Sequence, residues 1–579
     1  MAFTIPIPAS LSPDAVGFAI AALLMSAWLF LIMGDGPKKA GRAPATTAAS
    51  TLPRPPSAGL PLIGDTLASL DDALAVRNGR HAQLGPIFTA RFMGRRYTSV
   101  RGAGLVKKLL QAEHVTVETA WPPRVAELLG PASISTTHFA AHTALRRALA
   151  PAFGPAAVAG YVGLMQEVCE EHAAAWAAAG PGLGGAVANK AFTLSIILHV
   201  MGFSGGAAWD GPAAKARVND LFADWLGGFS PTGSGLPGGK MWRARRARAE
   251  LLRLIRGTLG EMIPARAATL ARASEAGEAG SGVAAAAGAA AAAAPACVMD
   301  RVVDALLAEA AAAAAAAEGK ANGSGGGGAA LPSRIPADPL AIMPAAADVA
   351  LNLLFAGTDT SSTVLTLLLR SLAADPALLG RLRAEQAAVV SAHGPALDAA
   401  ALEAAPLLTA CFKEQLRCVP IVGQLFRRVV VPGGLEVGGF WLPHGEALVL
   451  DVADALGTDA RWAGEPPASP AHLSKFHPAR WIAAPGAGPA AVEALKREGA
   501  WIPFGGGPRL CVGYRLAEAE VKAMLCVLLR GYAWTVAAPG TPLVKPPKGL
   551  PLPTDGFRVC FAPLGGGGGG DGLGRAKEE

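Results

Sequence analysis

This sequence of 579 residues has few cysteines, few aromatic side chains and few charges. None of its seven cysteines forms a CxxC pair, which argues against a disulfide framework and a structural zinc site and is typical of a reducing compartment. Only 6% of residues are aromatic and four are tyrosine, so an aromatic-rich binding surface is not expected. The net charge of +7 is spread along the chain and does not indicate nucleic acid as the main partner. Hydrophobic residues make up 51%, which excludes a disordered or fibrous protein.

Residues 15–33 form one apolar run without a charge. As a helix at about 1.5 Å per residue the run spans roughly 28 Å, close to the bilayer hydrocarbon thickness of about 30 Å. No lysine or arginine precedes it, as a cleaved signal peptide would require, and Lys38, Lys39 and Arg42 follow it. The positive-inside rule therefore predicts a single-pass transmembrane anchor with the rest of the chain in the cytoplasm. An organellar transit sequence is the alternative, because residues 46–51 are small and partly hydroxylated.

The rest of the chain is predicted to form one large, mainly α domain with small β-sheets at 59–565, between a Pro/Gly-rich linker at 34–58 and a disordered glycine-rich tail at 566–579. Alanine- and glycine-rich low-complexity inserts interrupt it at 271–296 and 310–338. Helical patterns dominate, and they lie at 140–176, 241–270, 341–375, 379–394, 400–418 and 515–532. Strand-like segments are short, and they lie at 87–92, 97–100, 425–431, 448–452 and 557–561.

The most informative segment is the glycine-rich loop at 503–513, which precedes a helical run at 516–529. Its glycines at 505–507 let the backbone approach a large flat cofactor, and Arg509 can reach an anionic edge of it. The following helix points its amino-terminal amides toward Cys511 and stabilises a thiolate there. For an arbitrary loop of this kind, a glycine turn with an inert buried cysteine is the ordinary interpretation.

The full spacing, however, resembles the haem-ligand signature FxxGxRxCxG of cytochromes P450, carried by Phe504, Gly507, Arg509, Cys511 and Gly513. The resemblance implies a cytochrome P450 fold that binds haem b (iron protoporphyrin IX). Cys511 would be the axial thiolate ligand of the iron. Phe504 would pack beside the sulfur, Arg509 would pair with a haem propionate, and Gly513 would let the next helix pass the ring.

A second motif, residues 356–360 (AGTDT), lies inside the predicted helix at 341–375 and matches the family's oxygen-binding pattern. The resemblance implies that Ala356 and Gly357 let this helix pass close to the ring. Asp359 and Thr360 would be the catalytic pair that delivers protons, a task suited to an acid and an alcohol. Taken alone, the pattern is more often a local helix kink with a capping threonine.

Glu414 and Arg417 lie three residues apart and so share one helix face. In isolation they would be a surface pair. In the family such a pair locks with an arginine of a later FxPxRW element, and residues 476–481 (FHPARW) match it and supply Arg480. These three residues are predicted to be structural.

Further cations are expected to reach the haem propionates, because a buried carboxylate without a partner is costly. His142 and Arg146 occupy the position of the family's W/HxxxR pattern. Arg427 matches a strand arginine with the same task, and Arg428 beside it remains an alternative.

Segments at 59–67, 128–130, 236–248 and 553–557 resemble the clan of retinoic-acid, brassinosteroid and abscisic-acid hydroxylases. The resemblance implies a monooxygenase that uses O2 to hydroxylate a lipophilic, sterol- or isoprenoid-like substrate. Electrons would come from NADPH–cytochrome P450 reductase, at the endoplasmic reticulum membrane with the catalytic domain cytoplasmic, or alternatively at a chloroplast membrane. The predicted substrate lining lies at 128–139, 222–229, 349–355, 420–424 and 550–553.

Two other functions remain open. One is a hydroperoxide-rearranging enzyme of the same fold, against which the Asp359 and Thr360 pair counts. The other is a haem-binding membrane protein without catalytic turnover.

Overall fold

The computed structural model describes residues 52–59, 64–230, 233–279, 294–317, 336, 338–457, 476–482, 497–545 and 549–565. The predicted anchor at 15–33, most of the linker at 34–58 and the tail at 566–579 lie outside these residues. The central parts of both predicted inserts lie outside them as well. These predictions stay predictions.

Helices dominate the described part of the chain. They are α1 (Thr66–Leu84), α2 (Ala103–Gln111), α3 (Pro123–Leu129), α4 (Phe139–Leu149), α5 (Pro155–Ala178), α6 (Gly185–Met201), α7 (Pro212–Gly227), α8 (Lys240–Ala279), α9 (Val298–Ala317), α10 (Met343–Ala373), α11 (Pro376–His393), α12 (Ala399–Glu403), α13 (Pro406–Cys418), α14 (Val452–Gly457) and α15 (Tyr514–Gly531). Short 3₁₀ turns lie at Ala150–Phe153, Pro339–Ile342, Pro478–Trp481 and Gly507–Arg509.

The strands are short. They are β1 (Ile87–Phe92), β2 (Arg95–Val100), β3 (Val117–Thr119), β4 (Leu183–Gly184), β5 (Gln424–Val429), β6 (Leu435–Val437), β7 (Phe440–Leu442), β8 (Ala447–Asp451), β9 (Tyr532–Val536) and β10 (Arg558–Pro563). The largest sheet has the order β1-β2-β8-β5-β3, in which only β2 and β8 are parallel. Two smaller sheets have the orders β4-β10-β9 and β6-β7. The predicted mainly α fold with small β-sheets is therefore confirmed.

The long helix α10 lies at the centre of the main hydrophobic core. It packs against α6, α8, α13 and α15, and most of its side chains are buried on every face. A helix that is apolar on all sides must be surrounded by other elements, which explains its sequence. A second, smaller core lies between α2 and the five-stranded sheet. Helix α10 thus carries its polar residues, including the predicted AGTDT segment, into the interior.

Proline and alanine account for the main differences from the predicted helix boundaries. The single helix predicted at 140–176 is divided into α4 and α5, which meet at an angle of 52°. Pro155 begins α5, because proline lacks the amide proton that a continuous helix needs but suits a first turn. The predicted helix at 400–418 is likewise divided before Pro406. Conversely, α8 and α9 extend into the predicted inserts to Ala279 and Ala317, since alanine has the highest helix propensity.

Among the described residues one helix, Pro339–Ala373, is long and apolar enough to cross a membrane. This segment contains α10, and its place in the hydrophobic core accounts for its composition.

Candidate functional site

The cysteine loop is held in shape by its glycines and by two backbone hydrogen bonds. Gly505 and Gly507 have φ of +73° and +64°, a region that side chains other than glycine rarely adopt. A Cβ at Gly507 would lie 2.1 Å from the carbonyl oxygen of Leu110, so the loop is pressed against the end of α2. The Cys511 amide donates to the Phe504 carbonyl (2.9 Å), and the Leu510 amide donates to the Gly507 carbonyl (3.1 Å). The loop therefore presents Cys511 just before the start of α15.

The Cys511 side chain is exposed to water, although the protein surrounds it closely enough that burial raises the pKa of the thiol. The Gly513 amide and the charge of Arg146 act in the opposite direction on that pKa. A sulfur that is both desolvated and water-accessible lies on the wall of an internal space. Phe504 stacks on Phe412 beside the loop, with ring centres 6.5 Å apart.

Helix α10 has a matching opening at Ala356. This residue is exposed, whereas Leu353, Leu354 and Thr358 around it are buried. Thr360, one turn later on the same face, donates its hydroxyl proton to the Ala356 carbonyl at 2.7 Å. Residues that are accessible in the middle of a core helix also border an internal space. A site for a flat cofactor between the cysteine loop and α10 would leave both the thiol and this helix segment accessible in this way.

Asp359 faces a neighbouring helix instead of that opening. Its side chain is completely buried and forms an ion pair with Lys190 of α6. Burial raises the pKa of the Asp359 carboxyl, and Lys190 opposes that shift. Gly357 allows α6 and α10 to pack closely, because a Cβ there would lie 2.9 Å from Cγ1 of Ile197 on α6. In the structure the close neighbour of Gly357 is therefore α6. Its proximity to a haem ring stays a prediction.

Glu414 is the centre of a buried hydrogen-bond network. Arg417 donates to both of its carboxylate oxygens at 2.9 Å, and Arg480 Nε donates at 3.1 Å. The Trp481 indole (2.9 Å) and the His477 amide (3.0 Å) donate to the same carboxylate. The structure thus brings together Glu414, Arg417 and Arg480, and it joins α13 to the 3₁₀ turn at Pro478–Trp481.

Arg427 and Arg509 surround the buried Glu113 and form with it a second buried group, the arginine cluster. Arg427 Nε lies 2.7 Å from Glu113 Oε2, and Arg509 donates to Glu113 Oε1 and to the carbonyls of Ile134 and Thr137. Two guanidinium groups and one carboxylate leave a net positive charge in a site that is almost completely buried. Such a site fits an anionic cofactor group, because a buried charge requires a partner.

The structure separates the two arginines that the sequence left as alternatives. Side chains alternate between the faces of a strand. On β5, Arg427 is buried with Arg509, whereas Arg428 is half exposed and forms an ion pair with Glu118. Arg427 is therefore the one that belongs to the arginine cluster.

His142 and Arg146 lie on α4 at the edge of the same cluster. His142 is buried, with its Nδ1 3.1 Å from Nε2 of His114. Burial, assisted by the charge of Arg509, lowers the pKa of His142 to about 3. Arg146 donates to the Leu510 carbonyl, next to Cys511. His142 is thus a neutral side chain at ordinary pH, and Arg146 is a cation whose charge acts on the Cys511 thiol.

Sequence reasoning missed three residues of the site. Lys190 had a signal, because it is the one lysine or arginine in the apolar sequence of α6 and a lone charge there needs a buried partner. The sequence carried no such signal for Glu113 or His114. They follow α2 in an unremarkable turn, and only the fold brings them to the arginines.

Comparison with known proteins agrees with this geometry. The cytochrome P450 family model matches residues 345–561. Human cytochrome P450 26C1 is 26% identical over 540 residues, which cover 89% of this chain and 90% of that protein. Chicken (Gallus gallus) cytochrome P450 26A1 is 25% identical over 517 residues, which cover 87% and 91%.

A solved structure of a cyanobacterial cytochrome P450 with retinoic acid bound, CYP120A1, superposes with a TM-score of 0.65 at 24% identity. The match covers 89% of this chain and all of that one, and at this identity it shows the fold. The chain therefore belongs to the cytochrome P450 family and is a haem b monooxygenase.

Proposed function

We propose that this chain hydroxylates a lipophilic, isoprenoid-like substrate with O2, and that Cys511 is the ligand of its haem iron. The observation that carries the proposal is the Cys511 thiol, which is water-accessible inside the protein on a glycine-constrained loop. Haem bound to a thiolate supplies the oxidising chemistry, since electron donation from sulfur favours O–O cleavage. The arginine cluster of Arg427 and Arg509 would hold the propionates, with His142 and Arg146 beside it.

Thr360 and Asp359 would deliver protons from α10. The Thr360 hydroxyl lies on the same face as the accessible Ala356, where it can pass a proton to a reacting group. Asp359 is the nearest acid on the helix, and its ion pair with Lys190 holds it away from the opening. We infer that Asp359 must leave Lys190, or exchange protons through water, to serve Thr360.

The isoprenoid-like substrate is supported by the relatives and by the apolar lining. The solved relative holds retinoic acid. Trp225, Phe229 and Phe355, from two of the segments predicted to contact substrate, form one aromatic cluster with ring centres 5.1–5.8 Å apart. Phe355 directly precedes Ala356, so this cluster lies beside the opening. Trp225 is completely buried, whereas Phe229 and Phe355 are partly exposed, and flat aromatic rings suit contact with a conjugated or cyclic hydrocarbon.

The electron donor in this proposal is NADPH–cytochrome P450 reductase. An anchor at 15–33 would hold the enzyme at the endoplasmic reticulum membrane with its catalytic domain in the cytoplasm. Fractionation of cells that express the chain with and without residues 1–51 tests the location. Equal membrane association of both proteins would contradict the anchor.

The central test is the CO-difference spectrum of the reduced protein. Cys511→Ala is expected to lose the red-shifted Soret band, because no sulfur would then bind the iron. The matched control Cys560→Ala removes a half-buried thiol on β10 and should keep the band. An unchanged band in Cys511→Ala would remove this residue as the ligand.

A second test examines proton delivery with reductase, NADPH and a lipid panel. Thr360→Ala should consume NADPH with much less product, whereas Thr360→Ser keeps the hydroxyl and should stay coupled. Equal coupling in Thr360→Ala would show that another group handles the protons.

A further inference from the structure

Two histidines beside the arginine cluster, His114 and His142, belong to one hydrogen-bond chain. The amide of Phe139, the first residue of α4, donates to Nδ1 of His114 at 3.2 Å. On the other side of that ring, Nε2 of His114 lies 3.1 Å from Nδ1 of His142. The two ring centres are 5.0 Å apart and the ring planes are inclined by 47°. The chain thus runs from the backbone of α4 through the turn after α2 and back to α4.

The backbone amide fixes where the protons of this chain lie. An amide N–H can only donate, so Nδ1 of His114 accepts and carries no proton. The Glu113 carboxylate lies 3.9 Å from that nitrogen, which is too far for a hydrogen bond. The proton of a neutral His114 ring is therefore on Nε2, which donates to Nδ1 of His142. The proton of His142 must then be on its own Nε2.

Both rings are neutral, as this chain of donors and acceptors requires. Burial lowers the pKa of His114, and it lowers the pKa of His142 to about 3. The positive charge of Arg509 acts in the same direction on both pKa values, and Glu113 opposes it at His114. Each ring therefore holds a single proton at ordinary pH, and the chain has one direction.

The chain ends at Nε2 of His142. This side chain is 2% exposed, and among the described residues none accepts a hydrogen bond from its Nε2. A donor on a buried side chain requires an acceptor. The neighbouring arginine cluster carries the positive charge that is proposed to hold the haem propionates, and a propionate oxygen is an acceptor of the required kind.

The backbone is strained at the start of the chain. His114 and Phe139 have φ of +69° and +46°, and they are two of four residues other than glycine with positive φ in the described part of the molecule. Their rings also contact each other, with centres 5.6 Å apart. Strained backbone of this kind persists only where the surroundings hold it, and it is concentrated at functional sites.

We infer that His114 is a positioning residue for the haem, which holds His142 in the one tautomer and ring orientation that directs an N–H to a propionate. The inference deepens the proposed function and rests on it, because the propionates are placed beside His142 there. Without the donor on His114, the His142 ring would be free to rotate by half a turn or to move its proton to Nδ1. Either change would take the donor away from the propionate.

The test compares His114→Met with His114→Gln in the haem-loaded protein. Both replacements are unbranched, similar in length and subject to the same backbone strain, but only glutamine has an N–H that can donate to His142. His114→Met should release haem to excess apomyoglobin about two- to tenfold faster than wild type, the usual effect of losing one hydrogen bond. His114→Gln should release haem at nearly the wild-type rate. Equal rates in the two variants would overturn the inference.

A second comparison shows whether His114 acts through His142. In a His142→Phe background, where the ring has no N–H, His114→Met should not accelerate haem release further. An acceleration of the same size in both backgrounds would overturn the inference, because His114 would then contribute through packing alone.

Imidazole ¹⁵N NMR of the wild-type ferrous carbon monoxide complex measures the proton positions without relying on a variant. The His142 signals are identified by their absence in His142→Phe, and they should show a protonated Nε2 and an unprotonated Nδ1. A proton on Nδ1 of His142 would overturn the inference, and a red-shifted Soret band in the same sample would leave the proposed function intact. The expected proton positions without that band would support the role of His114 and contradict Cys511 as the ligand.

Discussion

Replacing Lys190 with methionine leaves Asp359 as a completely buried carboxylate without its ion-pair partner. Methionine keeps much of the length and apolar stem of lysine. Burial already raises the pKa of Asp359 in the wild type, and Lys190 is the group that opposes this shift. In Lys190→Met the pKa must therefore rise further, so Asp359 binds a proton at a higher pH than in the wild type.

Proton uptake limits how much stability this substitution can cost. At pH 7, a carboxyl with an ordinary pKa of 3.8 is protonated at a cost of about 4.4 kcal/mol, at 1.36 kcal/mol per pH unit. The loss in the free energy of unfolding cannot exceed that value, because burial already imposes part of the same cost on Asp359 in the wild type. Since the Lys190 side chain is 18% exposed, we expect about 3 kcal/mol, at the low end for breaking a buried pair.

The sign of the pH dependence follows from linkage. A carboxyl whose pKa is raised on folding binds more protons in the folded state, so its contribution falls as pH rises above 3.8 until the folded pKa is reached. In Lys190→Met the decline should continue to higher pH than in wild type. The two proteins should therefore differ little near pH 4 and most at pH 7 and above.

The assay is urea unfolding followed by tryptophan fluorescence between pH 4 and 8. The control is Lys190→Met in an Asp359→Asn background, where the pH-dependent part of the loss should vanish. A loss of equal size at pH 4 and pH 8, or one that persists in the Asn background, would refute the reasoning and point to lost packing.

Three further substitutions test the buried contacts by the free energy of unfolding. Glu414→Gln should cost about 3–5 kcal/mol because the buried Arg417 and Arg480 lose the carboxylate of Glu414; a loss below about 1 kcal/mol would contradict this. Gly357→Ala should cost about 1–3 kcal/mol through overpacking against Ile197, and adding Ile197→Ala should recover most of it; without that recovery the clash is not the cause. Glu113→Gln should destabilise the haem-free protein more than the loaded one, because propionates would replace the lost carboxylate; equal losses would place the propionates elsewhere.

Most helices and strands could be predicted from the sequence, because the patterns that specify them involve residues close together in the chain. The strand predicted at 87–92 coincides with β1, and the predicted helix at 379–394 lies within three residues of α11. The main boundary errors were of two kinds. At Pro155 and Pro406 the hydrophobic pattern continued although the helix was interrupted. In the alanine-rich segments the pattern stopped although the helix continued.

The sequence by itself determined the chemistry that the site can hold: a cysteine between glycines, an acid beside a threonine, and a glutamate three residues before an arginine are short-range patterns with a definite spacing. Only the tertiary structure decided which distant charges meet. It placed Lys190 on Asp359, Glu113 between Arg427 and Arg509, and Arg428 on the other face of its strand. The physical reason is that a buried charge must find a partner, yet nothing in the sequence near that charge specifies which distant segment will supply it.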